Sequence, residues 1–435
     1  MKIVAALVAL LAIAAPAGLY LASSRTSIAF DPAPKVIGAE TPVKVRLDNP
    51  HGVRHLTAVV VQNGQRYPLF ETGEPASRLL FWRRKLPARH VEFSAGQKKA
   101  PALKEGKATL HVEARSNDLR ASTDAITAEV EVILAPPRVV ADGFQHYINQ
   151  GGAELAVFTV SGYWTEAGVR VGRHTFPSYP LPGSTKQERL SLFAFSWDTP
   201  ADAVPVVFAR NPAGVEATAR FWFKVFPKKF RKRDIELTDD FMDKVAGQIA
   251  PGASGGLLSR FLRINGELRR ENNAALARLS AKTEPRFLWS GPFQQLSNSK
   301  VESAFADQRT YVYKGKKVDE QVHLGFDLSV TMHNPVTASN DGNVVHAADL
   351  GIYGNCVVID HGFGLQSIYA HLSEIGVKEG EMVKKGRTIG KSGSTGLAGG
   401  DHLHFTMQIG GVQVNPVEWW DDHWIQDRIR SKVSW

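Results

Sequence analysis

The stretch Asn355-Cys356-Val357-Val358-Ile359-Asp360-His361-Gly362-Phe363-Gly364-Leu365-Gln366-Ser367-Ile368-Tyr369-Ala370-His371-Leu372 decides how the chain folds where it matters. Cys356 to Asp360 reads as a strand, and its run Cys356 to Ile359 is apolar in succession, the pattern of a strand buried on both faces. Asp360-His361-Gly362 reads as a hairpin end, and Gln366 to Ala370 as the returning strand. A third strand, Phe405 to Ile409, lies further on, where Gly410-Gly411 turns the chain back into Val412-Gln413-Val414. The region from about Phe287 onward is thus rich in strands and in glycine, as expected of a loop-built site on a small sheet. Cys356, the single cysteine of the chain, excludes an intramolecular disulfide and reads as a small core residue.

Upstream of this region the pattern changes. Thr238 can cap a helix with Asp239 and Asp240 in its first turn, and Phe241, Val245 and Ile249 follow at intervals of four. Leu257, Phe261, Ile264 and Leu268 continue a helical period, and Leu276 and Leu279 resume it after the polar gap Glu271-Asn272-Asn273. Two amphipathic helices are expected, ended by Pro285. The basic run Lys228-Lys229-Phe230-Arg231-Lys232-Arg233 before them reads as a linker. Further upstream, Val43, Val45 and Leu47 alternate with Lys44, Arg46 and Asp48, and Asn63-Gly64 is a strong hairpin signal. Leu110 to Ala114 and Thr127 to Leu134 read as strands, and Pro136-Pro137 breaks the chain. Leu155 to Val160, Val169 to Val171, Leu190 to Phe195, Pro205 to Ala209 and Ala219 to Phe226 form a second set. The expected fold is mainly β: two β-sandwich-like modules at 27–135 and 138–227, a helical connector at 228–285, a strand-rich domain at 286–421 and a tail at 422–435.

The 435 residues are too many for one ordinary domain. Composition is globular, with 43% hydrophobic and 22% charged residues. A net charge of +9 favours an anionic partner. No basic stripe interleaved with aromatics marks a nucleic-acid face, so an anionic wall polymer or a membrane surface fits better. Ile3 to Ser24 carries no charge, and Arg25 ends the run. That length can span a hydrocarbon core, which needs about 20 residues. Ala15-Pro16-Ala17 also resembles a small-residue cleavage site. Residues 1–26 are therefore either a signal anchor or a cleaved signal peptide, and the rest of the chain is expected to be exported.

Chemistry gathers in the last third. His323-Leu324-Gly325-Phe326-Asp327 is one group, and His402-Leu403-His404, preceded by Gly393-Ser394-Thr395-Gly396 and Gly399-Gly400-Asp401, is another. On a strand His402 and His404 share a face. A catalytic zinc takes three protein ligands and leaves one position for water. His323, Asp327 and one histidine of the pair would supply two nitrogens and one oxygen, freeing the other histidine for proton transfer. His371 closes a strand nearby in sequence.

Taken together, His323-x3-Asp327, Tyr369-Ala370-His371-Leu372, Gly393-Ser-Thr-Gly396 and His402-x-His404 stand in the order and spacing that resembles the LytM/lysostaphin-type metallopeptidases, peptidase family M23. Val377 to Ser392 and Asn415-Pro416 are also similar, and the likeness covers about Val301 to Trp420. It implies that His323, Asp327 and His404 hold one zinc ion and that His371 and His402 are catalytic histidines outside the ligand set. It also implies an open, mostly antiparallel β fold with the metal at the floor of a groove. Phe305-Ala306-Asp307 stands where the family often has Phe-Gly, a departure in a turn.

The resemblance further implies a peptidoglycan endopeptidase. Zinc would lower the pKa of water to about 7 and polarise the scissile carbonyl, with His371 and His402 jointly moving the proton. Relatives that only bind have lost ligand residues, whereas this chain keeps all five polar positions. Tyr369 reads as packing, and His333, His346, His361 and His423 as structural or solvated. Expected partners are the peptide part of peptidoglycan, the inner membrane through 1–26, and a protein docked on the β modules, with no nucleic acid; the expected location is periplasmic. The helix carrying Glu271, Asn272 and Asn273 either packs as a connector or occludes the groove.

Overall fold

The computed structural model describes residues 2–77, 80–83, 85–184 and 187–433. The chain is mainly β and divides into two compact units. The first is Met1–Pro137 with Gly162–Thr165 and Arg210–Ala217. It opens with a helix over Lys2–Ala22. Among the described residues no helix is long and apolar enough to cross a membrane. Beyond the helix, a three-stranded and a five-stranded sheet share one apolar core. Val43, Val45 and Leu47 point into it from one sheet, and Leu56, Val60 and Leu110 from the other. Asn63 and Gly64 both take positive φ, 51° and 78°, in the tight turn between Val53–Gln62 and Gln65–Gly73.

The second unit holds the remaining strands, the helices and the C-terminal domain. Its largest sheet has eight strands. Its neighbours run in the order Lys300–Ser303, Phe326–Ser329, Leu403–Ile409, Leu365–Leu372, Asn355–Gly362, Gly342–Asp349 and Met382–Val383, with Val412–Val414 also paired to Leu403–Ile409. All of these pairs are antiparallel. The two strands of the opening sequence are buried at nearly every position, because both faces are covered. One face packs on Trp289, Phe293 and Trp419, whose rings meet edge to face or tilted. The other packs on the helical segment.

That segment differs from two simple helices. After Asp239–Ile249, a single helical rod runs from Leu257 to Leu279, made of Leu257–Arg263, a π turn over Ile264–Leu268, and Arg269–Leu279. Its apolar stripe, Phe261, Ile264 and Leu276, joins Cys356, Val358, Ile368 and Ala370 in one core. Burying a side chain such as Phe261 contributes about 1.5–3 kcal/mol. Two glutamines of the sheet close the arrangement. Gln408 Nε2 donates to the Leu276 carbonyl at 3.0 Å, and Gln366 Nε2 donates to the Leu279 and Lys282 carbonyls at 2.9 and 3.1 Å. The last carbonyls of a helix have no partner within it, so these amides fix the end of the rod to the sheet.

Two expectations are corrected. The basic run is not merely a linker, because Lys232–Glu236 is a strand paired in parallel with Asp307–Tyr313. Arg231 is held to it by the Asp307 carboxylate at 2.6 Å. Nor is 422–435 a loose tail. Asp422–Ile425 is helical, Gln426–Arg430 continues as a π turn, and Ile425, Ile429 and Val433 are buried. Lys432 ends this segment with its ammonium on the buried Glu154 carboxylate at 2.7 Å.

Candidate metal centre

Three strands of the large sheet and its neighbour bring the nominated residues together. His323 ends Lys316–His323, Asp327 lies in Phe326–Ser329, and His404 lies in Leu403–Ile409 directly across from Asp327. His323 Nε2 is 2.8 Å from Asp327 Oδ1 and 2.9 Å from His404 Nδ1, and His404 Nδ1 is 3.0 Å from the same oxygen. Among the described residues this is the group of three whose donor atoms are close enough to hold a metal ion.

The proton inventory shows why a cation fits. His323 Nδ1 donates to the Ala304 carbonyl at 3.0 Å, which places the proton of a neutral ring there and leaves Nε2 as a lone pair. That lone pair faces a carboxylate oxygen and a second imidazole nitrogen. Three electron-pair donors aimed at one another repel unless a positive charge sits between them. His404 turns Nδ1 to the same point, and its Nε2 is buried without a partner among the described residues.

His402 and His371 stand beside this triad. His402 Nδ1 donates to the Gly400 carbonyl at 2.8 Å, and His371 Nδ1 donates to the Thr395 carbonyl at 2.8 Å. Both rings therefore offer Nε2 to the site. His402 Nε2 is 3.4 Å from Asp327 Oδ1, and the His371 ring centroid is 4.9 Å from that of His402 and 5.7 Å from that of His404. His371 has φ 62°, a left-handed conformation that costs a non-glycine residue about 1–3 kcal/mol. The Gly393–Gly396 turn holds it there. A Cβ on Gly396 would lie 2.4 Å from Gly354 N, and one on Gly354 would lie 2.3 Å from Thr395 Oγ1. Only with glycine at both places can Thr395 come close enough to accept from His371.

The charges respond to this crowding. Burial opposes ionisation of Asp327, but its imidazole neighbours, His323 first and then His402 and His404, hold the carboxyl well below its ordinary range. Burial pushes His404 down to about 4, the His323 charge adding to it. Burial, then the charges of His402 and His404, puts His371 well below its ordinary value. His402 goes the other way: burial works against its charge, and the Asp327 carboxylate outweighs it.

Two residues that sequence reasoning passed over complete the centre. Arg309 Nη2 donates to Asp327 Oδ2 at 2.9 Å, which leaves Oδ1 for the two imidazoles. Gly325 sits against His404; a Cβ there would be 2.6 Å from both Cε1 and Nε2 of that ring. Its place inside His-Leu-Gly-Phe-Asp was the available signal, while Arg309 had none in local sequence. Ala306, in the turn that departs from the family pattern, has φ 61° and donates its N–H to the His323 carbonyl at 2.7 Å.

The other histidines lie elsewhere. His361 is buried, with Nδ1 donating to the Asp341 carbonyl at 2.7 Å and Nε2 paired with Ser367 Oγ at 2.7 Å. Tyr369 is packing: its hydroxyl accepts from Ser339 N at 2.7 Å and pairs with Ser367 Oγ. His333 is half exposed beside Asp401, His346 is partly buried, and His423 is fully exposed. Asn272 and Asn273 do not reach the triad. Asn272 Oδ1 accepts from Ile352 N at 2.9 Å, and Asn273 Oδ1 accepts from the Tyr353 hydroxyl at 2.8 Å.

Residues 321–416 match the family model "Peptidase family M23". These residues are what the chain shares with peptidase family M23. The M23 segment is 43% identical over 97 residues to the DD-carboxypeptidase/endopeptidase Mpg of Neisseria meningitidis, covering 22% of this chain and 22% of that protein. It is 42% identical over 96 residues to the peptidoglycan DD-endopeptidase ShyA of Vibrio cholerae, again covering 22% of each. The chain thus spans less than a quarter of the length of these relatives. A crystal structure of a putative peptidase M23 from Pseudomonas aeruginosa covers 61% of this chain and 92% of its own, at 20% identity and a TM-score of 0.36.

Proposed function

We propose that the chain is a zinc endopeptidase that hydrolyses peptide cross-links of bacterial peptidoglycan. The observation that carries this reading is the convergence of His323 Nε2, Asp327 Oδ1 and His404 Nδ1 on one point. Two nitrogens and one oxygen from three protein ligands are the donor set of a catalytic zinc site. When bound there, zinc supplies Lewis acidity, polarising a peptide carbonyl and letting water ionise near neutral pH.

The chain's own residues supply the rest. Arg309 holds Asp327 so that one carboxylate oxygen faces the metal position. His371 and His402, each fixed in one tautomer by a backbone carbonyl, turn Nε2 toward the substrate. Together they take a proton from the attacking water and deliver it to the leaving amine. The substrate assignment is supported by relatives whose names are DD-endopeptidases. Export through residues 1–26, a periplasmic site of action, and a spacing or docking role for 27–135 and 138–227 belong to the same proposal.

The test uses the purified full chain. Zinc is measured by mass spectrometry, and purified sacculi are digested and searched for new amine termini. Cross-link cleavage that vanishes with zinc in His404→Ala is the expected result. Stoichiometric zinc in that variant would overturn the ligand set. Loaded protein that leaves sacculi intact would make it a binding protein. Fractionation of cells tests the location.

A further inference from the structure

The family match begins at residue 321, yet one wall of the cavity over the metal centre is built from residues before it. Arg233, Phe241, Arg269 and Asn273 line the same space of about 330 Å³ as His323 and His404. The family's own residues therefore do not determine the whole shape or charge of this cavity.

Arg269 has the construction of a binding group. It directly follows the π turn Ile264–Leu268, and such turns inside helices recur at functional sites. The turn contains Asn265, which is fully buried, an unfavourable place for an amide unless every bond is made. Its Nδ2 donates to Asp319 Oδ2 at 2.7 Å, and Gln321 Nε2 donates to the same oxygen at 3.0 Å. A carboxylate only accepts, so the Asn265 amide can face only one way, with Oδ1 toward Arg269. Arg269 Nη2 donates to that Oδ1 at 2.7 Å, and Nε donates to the Asn265 backbone carbonyl at 3.0 Å. Two bonds thus orient a guanidinium that has five N–H donors, on a residue that lines the cavity. Among the described residues no carboxylate pairs with it.

The surrounding charge points the same way. Arg233, Arg269 and Arg309 line the cavity against Glu236 and Asp327, and Asp327 is committed to the metal position. A preorganised, unpaired guanidinium in a partly desolvated space favours a carboxylate, which matches its planar donors.

We infer that Arg269 binds a free carboxylate on the substrate residue next to the scissile bond, and so selects acidic peptide stems. This rests on the peptidase reading above. The carboxylate can come from a side chain or from a chain terminus, and the experiment separates the two.

The zinc-loaded full chain is given synthetic cross-linked peptides in three forms: all carboxylates free, the side-chain carboxylate amidated, and the terminal carboxylate amidated. A hydrogen bond to a charged group contributes about 1.5–3 kcal/mol, which is roughly ten- to hundredfold in kcat/KM. Wild type should lose that factor on one amidated form, and which form identifies the source. Arg269→Met should lose the same factor on the free peptide, become indifferent to that amidation, and keep its zinc. Arg269→Lys should recover part of the preference, and Asn265→Ala, which removes only the positioning group, should blunt it. Equal rates on all three peptides by wild type would overturn the inference while leaving the peptidase reading intact. So would an Arg269→Met variant that is uniformly slower, or faster, on all of them. If wild type cleaves none, the peptidase reading fails. Calorimetric affinities for the same peptides then decide the carboxylate site, and equal affinities end it.

Discussion

Gly325→Ala tests the geometry of the metal centre without touching a ligand. An added Cβ would lie 2.6 Å from Cε1 and Nε2 of His404, whereas ordinary contact begins at 3.4 Å, so the ring must retreat by about 0.8 Å. His404 Nδ1 lies 2.9 Å from His323 Nε2 and 3.0 Å from Asp327 Oδ1, with little slack on the other side. A zinc–nitrogen bond is about 2.0–2.1 Å and tolerates roughly 0.2 Å. The displacement exceeds that several times over and removes His404 from the ligand set. Disturbing the support of a ligand typically costs 10–100-fold in metal affinity, and losing the ligand should put Gly325→Ala at or beyond about 100-fold. The assay is competition for zinc against a chromophoric chelator on apo full-length protein, with circular dichroism to show the fold is kept. A thermodynamic cycle sharpens it. In a His404→Ala background the ring is gone, so Gly325→Ala should lose little further zinc affinity. The 2.8 Å contact with the Phe405 carbonyl remains there and lowers stability in both backgrounds. A zinc Kd within threefold of wild type, or an equal loss in both backgrounds, would refute the steric argument.

Three further outcomes are expected. His371→Ala should keep zinc and fold but lose turnover by about 10²–10⁴-fold, checked by metal content and sacculus digestion on one preparation. Arg309→Met should weaken zinc binding by about 10–100-fold, because Asp327 Oδ2 loses its 2.9 Å donor, and calorimetric titration reads this directly. Glu418 predicts a pH effect away from the metal. Its carboxyl accepts from Asn149 Nδ2 at 2.7 Å and Ala153 N at 2.8 Å, and burial pushes it from 4.5 up to about 7, outweighing those hydrogen bonds. The folded state therefore holds the proton more tightly than the unfolded chain. This contribution is full below pH 4.5, fades as pH rises through about 7, and is worth on the order of 3 kcal/mol. The protection of amides around Ala153, with the intrinsic base-catalysed rise in exchange divided out, should fall between pH 5 and 8, and Glu418→Gln should flatten that dependence.

What could be read in advance follows the range of the signals. His323, Asp327, His371, His402 and His404 stand in motifs whose spacing is local, and the structure brings all five to one place. The Asn63-Gly64 turn is likewise a two-residue matter of backbone conformation. Arg309 was invisible because its partner Asp327 lies in another sheet, in Phe326–Ser329, and no local pattern encodes how the two strands meet. The parallel pairing of Lys232–Glu236 was hidden for the same reason, since a short charged strand resembles a linker until its neighbour is known. The π turn was read as ordinary helix because Ile264 and Leu268 keep the apolar spacing through it. The C-terminal segment was misjudged because its polar surface masks the widely spaced Ile425, Ile429 and Val433.

The glutamine contacts at the end of the helical rod set where an independent catalytic piece can begin. A polypeptide starting at Arg286 would leave the Gln366 and Gln408 amides inside the sheet without the Leu276, Leu279 and Lys282 carbonyls. It would also uncover Val358, Ile368 and Ala370, and strip Asp307–Tyr313 of its parallel neighbour, opening a sheet edge to other chains. A change in rate after such a truncation would report a damaged core rather than an unblocked groove. An excised piece for crystallisation, or for grafting onto another targeting module, should be cut ahead of Arg138, so that Asn149, Ala153 and Glu154 stay with Glu418 and Lys432 and the rod and sheet are carried as one part.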